Sequence, residues 1–156
     1  MSYIRLDGSS EPQPIGNARF NEGAPALSPD GRWLAYESDE TGRLDVFVRP
    51  FPGPGGRFRV STAGGREPTW SIDGREVFYR TSEGMIAAEI TLEPTPSVGE
   101  RRVLFNDAAY QTSGNHREYD VLPDGSGFVM IKQNLGDQDP IIVLNWFEEL
   151  KERVGR

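Results

Sequence analysis

Ala24-Pro25-Ala26-Leu27-Ser28-Pro29-Asp30-Gly31-Arg32-Trp33-Leu34-Ala35-Tyr36 returns in this 156-residue chain as Glu67-Pro68-Thr69-Trp70-Ser71-Ile72-Asp73-Gly74-Arg75-Glu76-Val77-Phe78-Tyr79. A looser third copy runs Glu118-Tyr119-Asp120-Val121-Leu122-Pro123-Asp124-Gly125-Ser126-Gly127-Phe128-Val129-Met130. The Asp-Gly pairs fall at 30, 73 and 124, which sets spacings of 43 and 51 residues. Asp-Gly between two apolar runs is a hairpin signal, because Gly takes positive φ without strain. The runs that follow (Trp33 to Tyr36, Val77 to Tyr79, Phe128 to Ile131) are apolar at consecutive positions. That pattern predicts strands buried on both faces.

Working outward, the next strand is predicted over 44–49, 85–90 and 140–145. An outer strand is predicted over 57–61 and 101–105, less apolar as an edge should be. The longer second interval fits in 106–117, a polar stretch that reads as a surface loop. Strand-rich repeats with a period near 40 to 50 residues are the sequence pattern of a β-propeller. The expected fold is therefore all-β, with four-stranded antiparallel blades, three in the chain. Residues 1–22 read as the last strands of a preceding or shared blade. Blade 1 is expected over 23–62, blade 2 over 63–106 and an incomplete blade 3 over 107–146. A short terminal helix is expected over 147–156, because Asn145 and Glu148 have capping-box spacing and Phe147, Leu150 and Val154 share a face.

Three blades do not close a ring, since rings usually hold four to eight. Two chains of three would give six, each N-terminal strand completing the partner's last blade. A homodimer is the expectation; an open fragment stabilised only by crystal contacts is the alternative.

Composition narrows the function classes. The 18 Gly and 12 Pro argue for short elements and tight turns, and 8 Phe, 5 Tyr and 3 Trp supply a core. Cysteine is absent, so disulfides and thiolate chemistry are excluded. A net charge of −7 without a basic run argues against nucleic-acid binding. No apolar stretch approaches the roughly 18 residues that suggest a transmembrane helix, and the N-terminus has no signal-peptide pattern.

Catalytic and metal signals are weak. His116 is the single histidine, so no His cluster forms within one chain. Ser71 or Ser113 with His116 would make a hydrolytic triad only by accident of folding, and no Gly-x-Ser-x-Gly elbow exists. Asp30, Asp73 and Asp124 stand before Gly, where a carboxylate serves the turn by accepting backbone amides. Asp137 and Asp139, or Glu118 and Asp120, are too few oxygens for a calcium cage. No catalytic residue, metal or cofactor is expected. Candidate ligand-binding residues are instead those of the loops entering each innermost strand: Asn21, Glu22, Arg66, Glu67, His116, Arg117 and Glu118. Loops on a rigid scaffold are where binding residues concentrate.

Ser28-Pro29-Asp30-Gly31, with Pro25 before it and Leu34-Ala35-Tyr36 after it, resembles the TolB-like (PD-type) propeller repeat. The stretch from Asn21 through Gly56, and the ending Val143-Leu144-Asn145-Trp146-Phe147-Glu148-Glu149-Leu150, are similar to the C-terminal propellers of bacterial eukaryotic-like serine/threonine kinases. The resemblance implies a binding or scaffold module from a larger sensor, often extracytoplasmic, recognising a protein or peptide. A purely structural, self-assembling fragment, natural or engineered, is the alternative, and a hydrolase-associated propeller the third reading.

Overall fold

The computed structural model describes residues 1–8, 11–16, 19–114, 116–133 and 142–143, and every regular element among them is a strand. β1 (Ser2–Tyr3) and β2 (Gln13–Pro14) form a small antiparallel sheet. β3 (Glu22–Leu27), β4 (Trp33–Ser38), β5 (Asp45–Pro50) and β6 (Phe58–Arg59) form a four-stranded antiparallel sheet in sequence order. β7 (Arg66–Trp70), β8 (Glu76–Thr81), β9 (Gly84–Thr91) and β10 (Ser97–Phe105) repeat that arrangement. β11 (Tyr119–Val121), β12 (Phe128–Met130) and β13 (Ile142–Val143) form a three-stranded sheet. The helix expected over 147–156 lies outside the described residues, as does most of the strand expected over 140–145. The outer strand of the first four-stranded sheet is only two residues long, and that of the second is nine.

The Asp-Gly turns work as their chemistry requires. Asp30 accepts from the Ser28 hydroxyl at 2.5 Å and from the Arg32 amide at 3.0 Å. Asp73 accepts from Ser71 at 2.7 Å and from the Arg75 amide at 3.1 Å. In the third copy Leu122 replaces the serine, and Ser126 supplies both hydroxyl and amide to Asp124, at 2.7 and 3.0 Å. Gly31, Gly74 and Gly125 hold φ of 69°, 71° and 72°, which favours glycine. The serine hydroxyls hold all three carboxyls below the usual carboxylate range.

Packing explains why β4 and β8 are apolar at consecutive positions. Leu34 and Tyr36 pack with Phe47 and Ile15, toward the small sheet. Trp33 and Ala35, on the other face of β4, pack with Trp70, Val77 and Tyr79 of the second sheet. Phe78, on the far face of β8, packs with Tyr119, Phe128 and Met130 of the third. Each of these strands is thus sandwiched, and a fully buried side chain of this kind contributes roughly 1.5–3 kcal/mol. β12 departs from the expectation. Phe128 and Met130 are buried, but Val129 and Ile131 are 42% and 46% exposed, because no further sheet among the described residues packs on that face.

Asp45, at the start of β5, is fully buried and ties three segments together. It accepts from the Thr41 hydroxyl at 2.6 Å, the Ser61 hydroxyl at 2.7 Å and the Gly64 amide at 3.1 Å. Burial pushes its carboxyl up, but the two hydroxyls and the guanidinium groups of Arg43 and Arg59 outweigh burial and lower it. A lowered carboxyl contributes stability that is present above its ordinary value of 3.8 and lost as pH falls below it. Asp45→Asn is therefore expected to cost about 1–3 kcal/mol at pH 7, by urea unfolding. The gap between variant and wild type is expected to shrink as pH falls below 3.8.

Candidate functional site

Ala24 and Glu67 occupy the same position in their repeats, at the entry to β3 and β7. Both hold a positive φ, 45° and 53°, where a non-glycine backbone costs about 1–3 kcal/mol. At both, pairing with the next strand slips, between Gly23 and Ala26 and between Arg66 and Thr69. Such a bulge re-aims a side chain. The Glu67 side chain is carried inside, leaving the residue 1% exposed.

A polar network forms around it. The Glu37 carboxylate, from the first sheet, accepts the Glu67 amide at 3.0 Å. The Glu67 carboxylate in turn accepts the Glu118 amide at 3.0 Å and the Ser113 amide at 3.2 Å. Its Oε2 lies 3.6 Å from the guanidinium of Arg80, which is 3% exposed. Arg80 also donates to the carboxylate of Asp107 and to the carbonyls of Tyr110 and Gln111. The Tyr119 hydroxyl donates to the Glu67 carbonyl at 2.5 Å. Burial pushes the Tyr119 phenol up, and it pushes the Glu37 carboxyl up despite the Glu67 amide and the nearby charge of Arg66. The described part of segment 106–117 is mostly exposed, as expected of a surface loop, but is tied down at Asp107, Tyr110, Gln111 and Ser113 by a buried arginine and a buried glutamate.

The structure scatters the seven sequence-predicted residues over different roles. Asn21 is on the rim, its amide and side-chain nitrogens donating to Asp39 at 2.9 and 2.6 Å. The Glu22 carboxylate lies 3.3 Å from the amino group of Met1. Arg66 is exposed and stands opposite Arg80 in the β7–β8 register. Glu67 is structural in its carboxylate. His116 Nδ1 is 3.1 Å from the Ser113 hydroxyl, and its Nε2 is 2.8 Å from Glu118 Oε1. Arg117 donates to the Tyr119 carbonyl at 2.8 Å and to Thr69 at 3.1 Å, and pairs with Asp120 at 3.3 Å. Glu67 thus brings the β7 entry and the 116–118 segment together through the Glu118 amide, while Asn21 and Glu22 are engaged elsewhere.

Arg43, Arg66, Glu67, Arg80, Ser82 and Thr112 line a cleft of about 410 Å³ beside this network. Sequence reasoning missed Arg43, Ser82 and Thr112, and also Glu37, Arg80 and Asp107 beneath them. A signal was present for two of these. Glu37 and Arg80 each stand seven residues after the turn aspartate, charges at the end of otherwise apolar strands. With the buried acids committed to amides and to Arg80, the cleft offers chiefly donors and hydroxyls. It is suited to hydrogen-bonded recognition more than to proton transfer. The Ser113–His116–Glu118 row can pass a proton, but the His116 side chain is 68% exposed, where water screens such a relay. Among the described residues, no group of three or more His, Asp or Glu side chains is placed to hold a metal ion.

Arg80→Met leaves Glu67 and Asp107 buried without their cation, and is expected to cost about 3–5 kcal/mol in urea unfolding. Arg66→Ala, one strand away, is expected to stay within about 0.5 kcal/mol.

No protein-family model matches the chain, and no curated protein sequence matches it. Solved structures do. An oligogalacturonate lyase from Vibrio parahaemolyticus superposes with a TM-score of 0.56 at 14% identity, over 83% of this chain and 36% of that one. A putative TolB from Agrobacterium tumefaciens gives a TM-score of 0.52 at 20% identity, over 82% of this chain and 44% of that one. The chain therefore spans less than half the length of either structure. At these identities the likeness concerns the fold alone, and the fold is that of the TolB-like β-propellers.

Proposed function

We propose that this chain is a non-catalytic binding and scaffold module, a propeller segment that recognises a protein or peptide at the cleft beside Arg66. The observation that carries the reading is the placement of that polar cleft on the buried Glu37–Glu67–Arg80–Asp107 network. The network fixes the cleft's walls before any ligand arrives, which lowers the ordering cost of binding. Arg66 and Arg43 are the exposed cations among the cleft's described lining, and Arg66 is the contact expected to face the ligand. The similarity to kinase-linked propellers in the sequence suggests a sensor as the parent protein.

The reading includes assembly into a closed ring. In the first two sheets the positions equivalent to Val129 are Ala35 and Phe78, both buried by the next sheet. Val129 and Ile131 invite the same cover, and two copies of the chain would supply six blades. Light scattering across a hundredfold concentration range is expected to give twice 17.4 kDa. A monomer throughout would contradict ring closure between copies.

A peptide array probed with the chain is expected to retain it, with retention lost in Arg66→Glu. Equal retention of variant and wild type would contradict the cleft as the binding surface. The Ser113–His116–Glu118 row favours a second, hydrolytic reading, and the two are separable. The non-catalytic reading predicts that Ser113→Ala hydrolyses p-nitrophenyl acetate as fast as wild type. A drop of at least about a hundredfold, as loss of an activated nucleophile gives, would favour the hydrolase.

A further inference from the structure

The two gaps between the three larger sheets are built from the same repeat positions but are filled differently. In the first gap, Trp33 reaches in from the first sheet and Trp70 from the second. Trp70 Nε1 donates to the Ala26 carbonyl at 3.1 Å, and Trp33 meets the Phe58 ring edge-on at 6.3 Å. Both indoles are nearly enclosed, at 9% and 4% exposure. In the second gap the repeat places Glu76 where Trp33 stands and Val121 where Trp70 stands. The two indoles have no counterpart there.

What remains is a cavity of about 380 Å³ between the second and third sheets. Its apolar lining is Ile72, Phe78 and Val121; its polar lining includes Asp73, Asp124 and the Glu76–Arg102 ion pair. The size falls in the range of small-ligand sites, about 300–1,000 Å³. Arg102 balances the Glu76 carboxylate and the exposed Arg75 lies 3.9 Å from Asp73, so the three rim carboxylates meet two guanidinium groups and Asp124 carries the excess negative charge. Asp73 and Asp124 are both held below the usual carboxylate range by turn hydroxyls and stay ionised. The cavity lies at the Asp-Gly turns, the opposite end of the first strands from the cleft beside Arg66, so it is independent of the function proposed above.

We propose that this cavity is a second binding site, for an aromatic side chain of a peptide that carries a positive charge beside the ring. The ring takes the space that Trp33 and Trp70 fill in the first gap, against Phe78 and Val121. The flanking cation faces Asp124, with Asp73 and its Arg75 partner beside it. Complementary charge at a rim of this kind sets specificity more than raw affinity.

The test is a chemical-shift titration of the isotope-labelled chain with acetyl-Lys-Trp-Lys-amide, read at the amides of Ile72, Val121 and Gly125. Saturable shifts are expected at those three positions. Val121→Trp, which restores the residue of the second repeat, is expected to bind at least tenfold more weakly with an undiminished thermal midpoint. Val121→Phe gives the same comparison with a smaller insertion. Acetyl-Glu-Trp-Glu-amide and acetyl-Lys-Leu-Lys-amide are each expected to bind at least tenfold more weakly than the Lys-Trp-Lys probe. The proposal is overturned if no shifts appear at the three amides, if the filled variants bind as well as wild type, or if either control peptide binds equally.

Discussion

Glu67 has its carboxylate inside the protein and its backbone in a strained conformation, and neither would persist without its neighbours. Desolvating a carboxylate costs several kcal/mol, and the positive φ adds to that. Amides from Ser113 and Glu118 and the guanidinium of Arg80 offset the cost. Because these groups come from three separate segments, satisfying one side chain fixes where the second sheet, the loop after it and the third sheet meet. Glu37 does the same one sheet earlier, by accepting the Glu67 amide. The sheets are stacked by apolar faces, which are non-directional, and registered by these directional bonds.

The stack gives the two ends of the sheets different characters. At the end where the first strands begin, charge is drawn inward and a polar cleft opens beside it. At the Asp-Gly end, the carboxylates face their own turns, and the packing between sheets depends on large aromatics. Where the indoles are present, the gap between sheets closes; where Glu76 and Val121 replace them, it stays open. The repeat is thus regular in backbone and variable in the few side chains that decide which gaps are filled. The stack accommodates such variation because, among the described residues, each core cluster joins only adjacent sheets.

Much of the fold is legible in the sequence because its signals are local. Asp-Gly two residues after Ser or Leu, then consecutive apolar residues, marks the turn and the following strand in all three copies, and that strand is sandwiched in the first two. The site is less legible because it depends on a backbone irregularity. Nothing about Arg66-Glu67-Pro68 announces a bulge that turns Glu67 inward, and the residue before proline ordinarily favours extended backbone. Segment 106–117 reads as a surface loop since it is polar. It is pinned because Arg80, far away in sequence, has carbonyls and Asp107 to reach. Val129 and Ile131 show the converse, apolar residues whose cover is not supplied by the described chain.

The Glu67 carboxylate registers the third sheet and its preceding loop on the second. Native-state hydrogen exchange on Glu67→Gln reads this out, since the carboxamide keeps one acceptor oxygen, sets an NH2 donor against the other amide and removes the charge beside Arg80. The Ser113 and Glu118 amides are expected to lose protection while the turn amides of Gly31 and Gly74 keep theirs. Unchanged protection at Ser113 and Glu118, or an even loss across all four, would contradict it.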